Sequence, residues 1–235
     1  MQSAGKMNMG QSINHLSALV LIPVYNGARH LPELIPRCRQ FVCNDNLLLV
    51  NDGSTDNTLD IMQKERVNYI SFPSNRGKGA ALKAGFDFAI AHGYRSVLTL
   101  DADLQHLPEE IPRFLALDNG NRLVMGTRRI DRSVMPFARW LSNNLTSMMI
   151  SIFSTQRVRD SQSGYRLIPT SLLRMLPLES IRYDFESEML LKAGVIGCEI
   201  AEAPISTVYE GSHSYINPFK DTMRFIRQIW KRIWV

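Results

Sequence analysis

Cysteine is scarce in this sequence. Cys38, Cys43 and Cys198 are the only three in 235 residues. An odd number with no CxxC pair points to neither a zinc site nor a disulfide framework. Three free thiols are expected, as in a cytoplasmic protein. Long apolar runs are missing as well. The most apolar stretch, Leu145 to Phe153, is broken by Thr146, Ser147 and Ser151 and falls short of the roughly 18 to 20 residues that cross a bilayer. The first fifteen residues, MQSAGKMNMGQSINH, lack the apolar centre of a signal peptide, so 1–16 is expected to be a polar leader. No repeat or low-complexity segment occurs. Excess basic charge is confined to one place. Of the net charge of +5, four come from 216–235, where Lys220, Arg224, Arg227, Lys231 and Arg232 stand against one acid, Asp221. The remainder is nearly neutral, which excludes a nucleic-acid-binding surface spread over the fold.

What is present fits one α/β domain with a core of ordinary size. Short apolar runs at 18–23, 46–51, 67–72, 96–101 and 122–126 read as strands. Helical patterns lie between them at 29–42, 55–66, 77–92 and 108–117, the last opened by Pro108 with Glu109 and Glu110. This alternation predicts βαβ units and a mostly parallel central sheet flanked by helices. The second half is less regular: helical at 134–156, a strand at 164–168, a helix at 184–194, a strand at 197–205 and a last helix at 217–234. In a parallel sheet ligands bind at the carboxyl ends of the strands, so the polar residues after each run form one constellation.

The first strand ends in Pro23-Val24-Tyr25-Asn26-Gly27 and the second in Asn51-Asp52-Gly53-Ser54-Thr55-Asp56. Either alone reads first as turn and cap chemistry, and second as part of a site. NRGKGAALKAGF (75–86) carries Lys78 between two glycines but lacks GxxxxGK[ST], so it is no Walker phosphate loop. Its helix start suits an anionic ligand, or Gly77 and Gly79 serve only a tight turn. VLTLDADLQH (97–106) then drives two acids out of a buried strand. In an extended segment residues two apart face the same way, so Asp101 and Asp103 are expected to project together while Ala102 turns aside. Two such carboxylates repel unless a cation stands with them. A hard divalent cation takes one or two carboxylates plus the oxygens of a diphosphate, and Gln105 offers a further carbonyl. MGTRR (125–129) closes the fifth strand with Arg128 and Arg129, and Arg139 follows on the next helix. Guanidinium forks of this kind suit phosphate.

In order and spacing, PVYN, VNDGSTDNT, NRGKGAAL, LDADLQHLPEEIP, MGTRR and DSQSGYRLI resemble the family 2 glycosyltransferases of GT-A fold, a Rossmann-like α/β architecture. The long form DADLQHLPEE resembles the dolichyl- and polyprenyl-phosphate mannose or glucose synthase branch. The likeness covers roughly residues 18–210 and implies a GT-A catalytic domain at 17–212. It also implies a donor site for a nucleoside diphosphate sugar, a GDP- or UDP-hexose, held by Pro23, Tyr25, Asn26, Asp52, Lys78, Asp101, Ala102 and Asp103. Asp103 and Gln105 would meet Mg²⁺ or Mn²⁺. Arg128, Arg139 and Asn143 would meet the acceptor phosphate, and Asp101, Asp103, Arg128 and Asp160 would form the catalytic set, with Ser163, Gly164 and Arg166 in the same motif as Asp160. This chain departs from the family in places. Asn26 stands where many relatives have Glu, Asn143 stands where the mannose branch often has Ser, and Lys78 is commoner in the wider family. VYEGSHSYINPFKD (208–221) is similar to the Ser-His form of the late loop. The Gln-x-x-Arg-Trp of processive synthases is absent, since Pro136 holds the first position before Arg139-Trp140.

The chemistry implied is attack of a polyprenyl phosphate oxygen on the anomeric carbon, with inversion. A phosphate monoester of second pKa about 6 is already ionised at neutral pH, so no general base is needed. The burden falls on the departing diphosphate, to be met by metal and arginine. A hydroxyl acceptor on a glycan or glycolipid is the alternative; it needs a base, for which Asp160 or Glu186 would serve. A catalytically inactive nucleotide-sugar-binding membrane adaptor is the alternative of another class. In the last helix Phe219, Met223, Ile226, Trp230 and Ile233 recur every three or four residues beside a stripe of Lys220, Arg224, Arg227 and Lys231. That pattern predicts an interfacial helix at 213–235 on an anionic membrane surface, with packing on the core as its rival. The expected location is cytoplasmic, peripheral on the inner membrane face.

Overall fold

The computed structural model describes residues 18–128, 147–148, 151, 158–178 and 185–206. Seven strands form one sheet: β1 (Ala18–Val24), β2 (Leu47–Asn51), β3 (Asn68–Ser71), β4 (Ser96–Thr99), β5 (Leu123–Arg128), β6 (Arg166–Pro169) and β7 (Ile200–Ile205). Helices with full bounds among the described residues are α1 (Leu31–Arg39), α2 (Thr58–Lys64), α3 (Lys78–Ala91), α4 (Ile111–Ala116), α5 (Thr170–Met175) and α6 (Phe185–Val195). The strand order is β3-β2-β1-β4-β6-β5-β7. Among the described strands, only β6 runs against its neighbours β4 and β5; the other pairings are parallel.

Both faces of the sheet are covered, and the strands are accordingly apolar at consecutive positions. Leu19, Leu21, Leu48, Val50 and Val97 pack on one side with Ala81, Leu82 and Phe86 of α3, Leu172 of α5 and Met189 of α6. Val20, Ile22, Leu47, Leu49 and Leu98 pack on the other with Leu31, Leu34, Ile35 and Cys38 of α1 and Phe114 of α4. The α1 set recurs at the three- and four-residue spacing of one helical stripe. Its first turn carries Glu33 and its last Arg37 and Arg39, each matching the helix dipole.

Every strand and helix expected in 18–128 is present within a few residues at each end. α5 is an addition: its six residues follow β6 directly after Pro169, too short to give a periodic signal. From β1 the chain winds outward to β2 and β3, then returns to place β4 on the other side of β1. A crevice therefore opens beyond the carboxyl ends of β1 and β4, where loops leave in opposite directions. The expected leader (1–16), most of the helix at 134–156 and the interfacial helix (213–235) lie outside the described residues.

Candidate active site

The first two strand ends are stitched into one surface. After β1, Asn26 adopts a left-handed φ of 52°. Its side-chain oxygen accepts the Thr55 backbone N–H at 2.8 Å, and its own N–H donates to Ser54 Oγ at 2.9 Å. Gly27 N–H donates to Thr58 Oγ1 and Ala28 N–H to Asp56 Oδ2. Short polar side chains thus satisfy the backbone of the neighbouring loop, and Asn26 braces the site wall. Tyr25 beside it stays 51% exposed and offers an open ring face; Pro23 is half-buried within β1.

Asp52 is buried and serves the next loop. Its two carboxylate oxygens accept the backbone N–H groups of Arg76 at 2.7 Å and Gly77 at 2.9 Å, fixing the turn that launches α3 at Lys78. Gly53 follows with φ 65°. A Cβ there would stand 2.2 Å from the Ser74 carbonyl carbon, so only glycine lets the two loops approach.

The backbone of the acidic motif is not extended. β4 ends at Thr99, Ala102 and Asp103 form a turn, and Leu104 takes a φ of 60°. The two acids therefore leave the strand end separately, and the expectation that they project side by side is corrected. Asp103 is exposed and caps its own turn, with Oδ1 accepting the Gln105 N–H at 3.0 Å. Asp101 is half-buried against Lys78, whose Nζ lies 2.5 Å from Asp101 Oδ1 and 3.0 Å from Glu186 Oε1. Burial alone would raise the Asp101 pKa, but the ammonium of Lys78, aided by His106 and Arg166, holds it below the ordinary carboxylate range. Burial also opposes the charge on Lys78; Asp101 and Glu186 outweigh it and hold that pKa above the usual lysine value.

His106 completes the turn. Its Nδ1 accepts the Asp101 N–H at 3.1 Å, and its ring rests on Tyr165, 5.2 Å between centroids. Burial pushes its pKa down, against the pull of the Asp101 carboxylate. The sequence pattern alone does not single out His106.

Arg128 ends β5 and meets Asp160 as a two-pronged fork, Nε to Oδ2 at 2.6 Å and Nη2 to Oδ1 at 2.8 Å. Asp160 is wholly buried. Arg166 is buried too, donating to the carbonyls of Ser163 at 2.8 Å, Ser161 at 2.7 Å and Glu186 at 2.7 Å. It ties the 160–164 loop to the start of α6. Thr99 Oγ1 donates to the Gly164 carbonyl at 2.8 Å, drawing that loop against β4. A Cβ on Gly164 would stand 2.7 Å from Asp101 Oδ2, so the carboxylate sits where only glycine leaves room.

The structure thus gathers Asp101 with Lys78 and Glu186, Arg128 with Asp160, and Asn26 with the Asp52 loop. Arg129, Arg139, Trp140, Asn143 and the 208–235 segment lie outside the described residues. No group of three or more His, Cys, Asp or Glu side chains among the described residues is placed to hold a metal ion. Asp103, with one carboxylate oxygen accepting the Gln105 N–H, is an acid of this turn that stays exposed. No helix among the described residues is long and apolar enough to cross a membrane.

Residues 19–182 match glycosyl transferase family 2. The undecaprenyl-phosphate mannosyltransferase of Micrococcus luteus is 30% identical over 204 residues, covering 82% of this chain and 84% of that one. The polyprenol monophosphomannose synthase of Mycolicibacterium smegmatis is 30% identical over 201 residues, covering 80% and 76%. Among solved structures, glucosyl-3-phosphoglycerate synthase from Mycobacterium tuberculosis, crystallised with Mn²⁺, uridine diphosphate and glucosyl-3-phosphoglycerate, superposes with a TM-score of 0.71 at 19% identity, over 92% of this chain and 79% of that one. That likeness establishes the GT-A fold. The protein is a member of glycosyl transferase family 2.

Proposed function

We propose that this glycosyltransferase moves a hexose from a nucleoside diphosphate sugar to a polyprenyl phosphate at a membrane surface, with inversion. The observation that carries the reading is the state of the site carboxylates. Asp160 is forked to Arg128, Asp101 and Glu186 share Lys78, and Asp52 is held by two backbone N–H groups. Each of these described carboxylates already has a partner, which favours an acceptor that needs no base. A phosphate acceptor asks for no such base. The two relatives at 30% identity are named for undecaprenyl-phosphate mannosyl transfer and polyprenol monophosphomannose synthesis, which supports the same acceptor class.

In this reading Tyr25 offers its exposed ring to the nucleobase, and Pro23 and Asn26 shape the wall beside it. Asp52 holds the loop that presents Lys78. Asp103 and Gln105 would hold Mg²⁺ or Mn²⁺, which when bound neutralises charge at the leaving diphosphate. Asp101 and Ala102 would border the donor, while Arg128, kept in orientation by Asp160, attracts phosphate. Arg139 and Asn143 would assist at the acceptor side. Asp160 acts through Arg128 and is a positioning residue. The basic amphipathic stretch 213–235 would bring the site to an anionic lipid surface.

The donor half is tested by thermal shift with nucleoside diphosphates and their sugars in Mg²⁺ or Mn²⁺. One nucleotide is expected to raise Tm in a metal-dependent way, and Asp103→Ala is expected to abolish the gain. No gain with any nucleotide would overturn the donor assignment.

A further inference from the structure

We infer that Glu110 is a positioning residue for the lipid acceptor: it ties the end of β7 to the helix start behind the acidic motif, and so sets the point from which 207–235 leaves the domain. The inference rests on the polyprenyl-phosphate reading above. Glu110 is buried, 7% exposed, just before α4. One carboxylate oxygen accepts the Ser206 backbone N–H at 3.3 Å, across 96 positions of sequence. The other meets Arg113 Nη1 at 2.6 Å, and Arg113 donates in turn to the Pro204 carbonyl.

The two sides of this tie are unequally held. On the motif side Ile111 and Phe114 are wholly buried. Tyr165 donates its hydroxyl to the Leu107 carbonyl at 3.2 Å, and Arg37 of α1 forks Glu109 at 2.9 and 2.7 Å. On the other side β7 has β5 as its one neighbour among the described strands, and Pro204 and Ser206 are exposed. Breaking the tie therefore releases the β7 end and leaves the motif in place. That end lies on the acceptor side, because Ile205 is in register with Arg128. The sequence after Ser206 runs into VYEGSHSYINPFKD and the basic amphipathic pattern read as the membrane contact. Burying a carboxylate costs desolvation that an ion pair seldom offsets in stability alone. What the tie adds is a fixed distance between the phosphate-attracting arginine and the chain that meets the lipid surface.

Steady-state transfer by the full chain in Mn²⁺ tests the inference, with UDP- and GDP-hexoses as donors. Two acceptors are compared: undecaprenyl phosphate in vesicles of phosphatidylcholine and phosphatidylglycerol, and a short-chain prenyl phosphate dissolved in water. Glu110→Ala is expected to raise KM for the vesicle acceptor about tenfold, as for one lost hydrogen bond to a charged group. KM for the donor and for the dissolved acceptor should stay within about twofold. Glu110→Gln, which keeps an oxygen for the Ser206 N–H, should recover part of the loss. Arg113→Met changes a side chain that is 48% exposed, so it is expected to fold as wild type does and to raise the same KM. An unchanged vesicle KM in Glu110→Ala and Arg113→Met, or an equal rise for the dissolved acceptor, would overturn the inference. Wild type that transfers to neither phosphate would instead overturn the polyprenyl-phosphate reading, and this inference with it.

Discussion

Arg128 and Asp160 hold each other in a bidentate fork, at 2.6 and 2.8 Å, with the carboxylate wholly buried. Arg128→Ala is expected to lose about 3–5 kcal/mol of stability, because it leaves a buried carboxylate without its fork. Arg128→Lys should recover only part of this, since an ammonium cannot reproduce two parallel bonds. Urea denaturation of the two variants checks the order.

Gly164 should tolerate no side chain without cost to Asp101. Gly164→Ala places a Cβ 2.7 Å from the Asp101 carboxylate, which must turn away from Lys78. Overpacking of this kind costs about 1–3 kcal/mol. The informative readout is nucleotide-sugar affinity, which should fall more than Tm alone would suggest.

Tyr25 should separate binding from folding. Its ring is half exposed, so Tyr25→Ala is expected to change stability by less than about 0.5 kcal/mol. Loss of a stacked base should cost about 1–3 kcal/mol in nucleotide affinity. Equal nucleotide binding by both proteins would remove Tyr25 from the donor site.

Acid should loosen the site in a definite direction. The folded-state pKa of Asp101 lies below its ordinary value because Lys78 outweighs the effect of burial. Its contribution to stability is therefore complete above the unfolded value of about 3.9 and is lost as pH falls through the lower folded value. Denaturation midpoints between neutral pH and strong acid should drop more steeply for wild type than for Asp101→Asn.

Much of this was legible in the sequence, because strand ends in a parallel sheet are set by local signals. The apolar runs at 18–23 and 46–51 and the polar turns after them became β1, β2 and the braced Asn26–Thr55 surface. Local pattern failed where conformation depended on a single backbone angle. Leu104 at φ 60° turns the acidic motif, and nothing in a leucine announces a left-handed residue. The pairing of Lys78 with Glu186 crosses more than a hundred positions and depends on how α6 returns to α3. His106 gave a weaker signal, a lone histidine just past two acids. Arg166 was read with the site lining, yet its guanidinium is spent on three backbone carbonyls; its neighbours in DSQSGYRLI do not reveal that burial.

The account stands most directly on the acceptor. The full chain should be incubated with a labelled nucleotide sugar, Mn²⁺ or Mg²⁺, and in separate vessels a polyprenyl phosphate or the matching polyprenol. Transfer of label to the polyprenyl phosphate, with none to the alcohol, is the predicted result. Transfer to the alcohol, or to a glycan hydroxyl but never to the lipid phosphate, would contradict it.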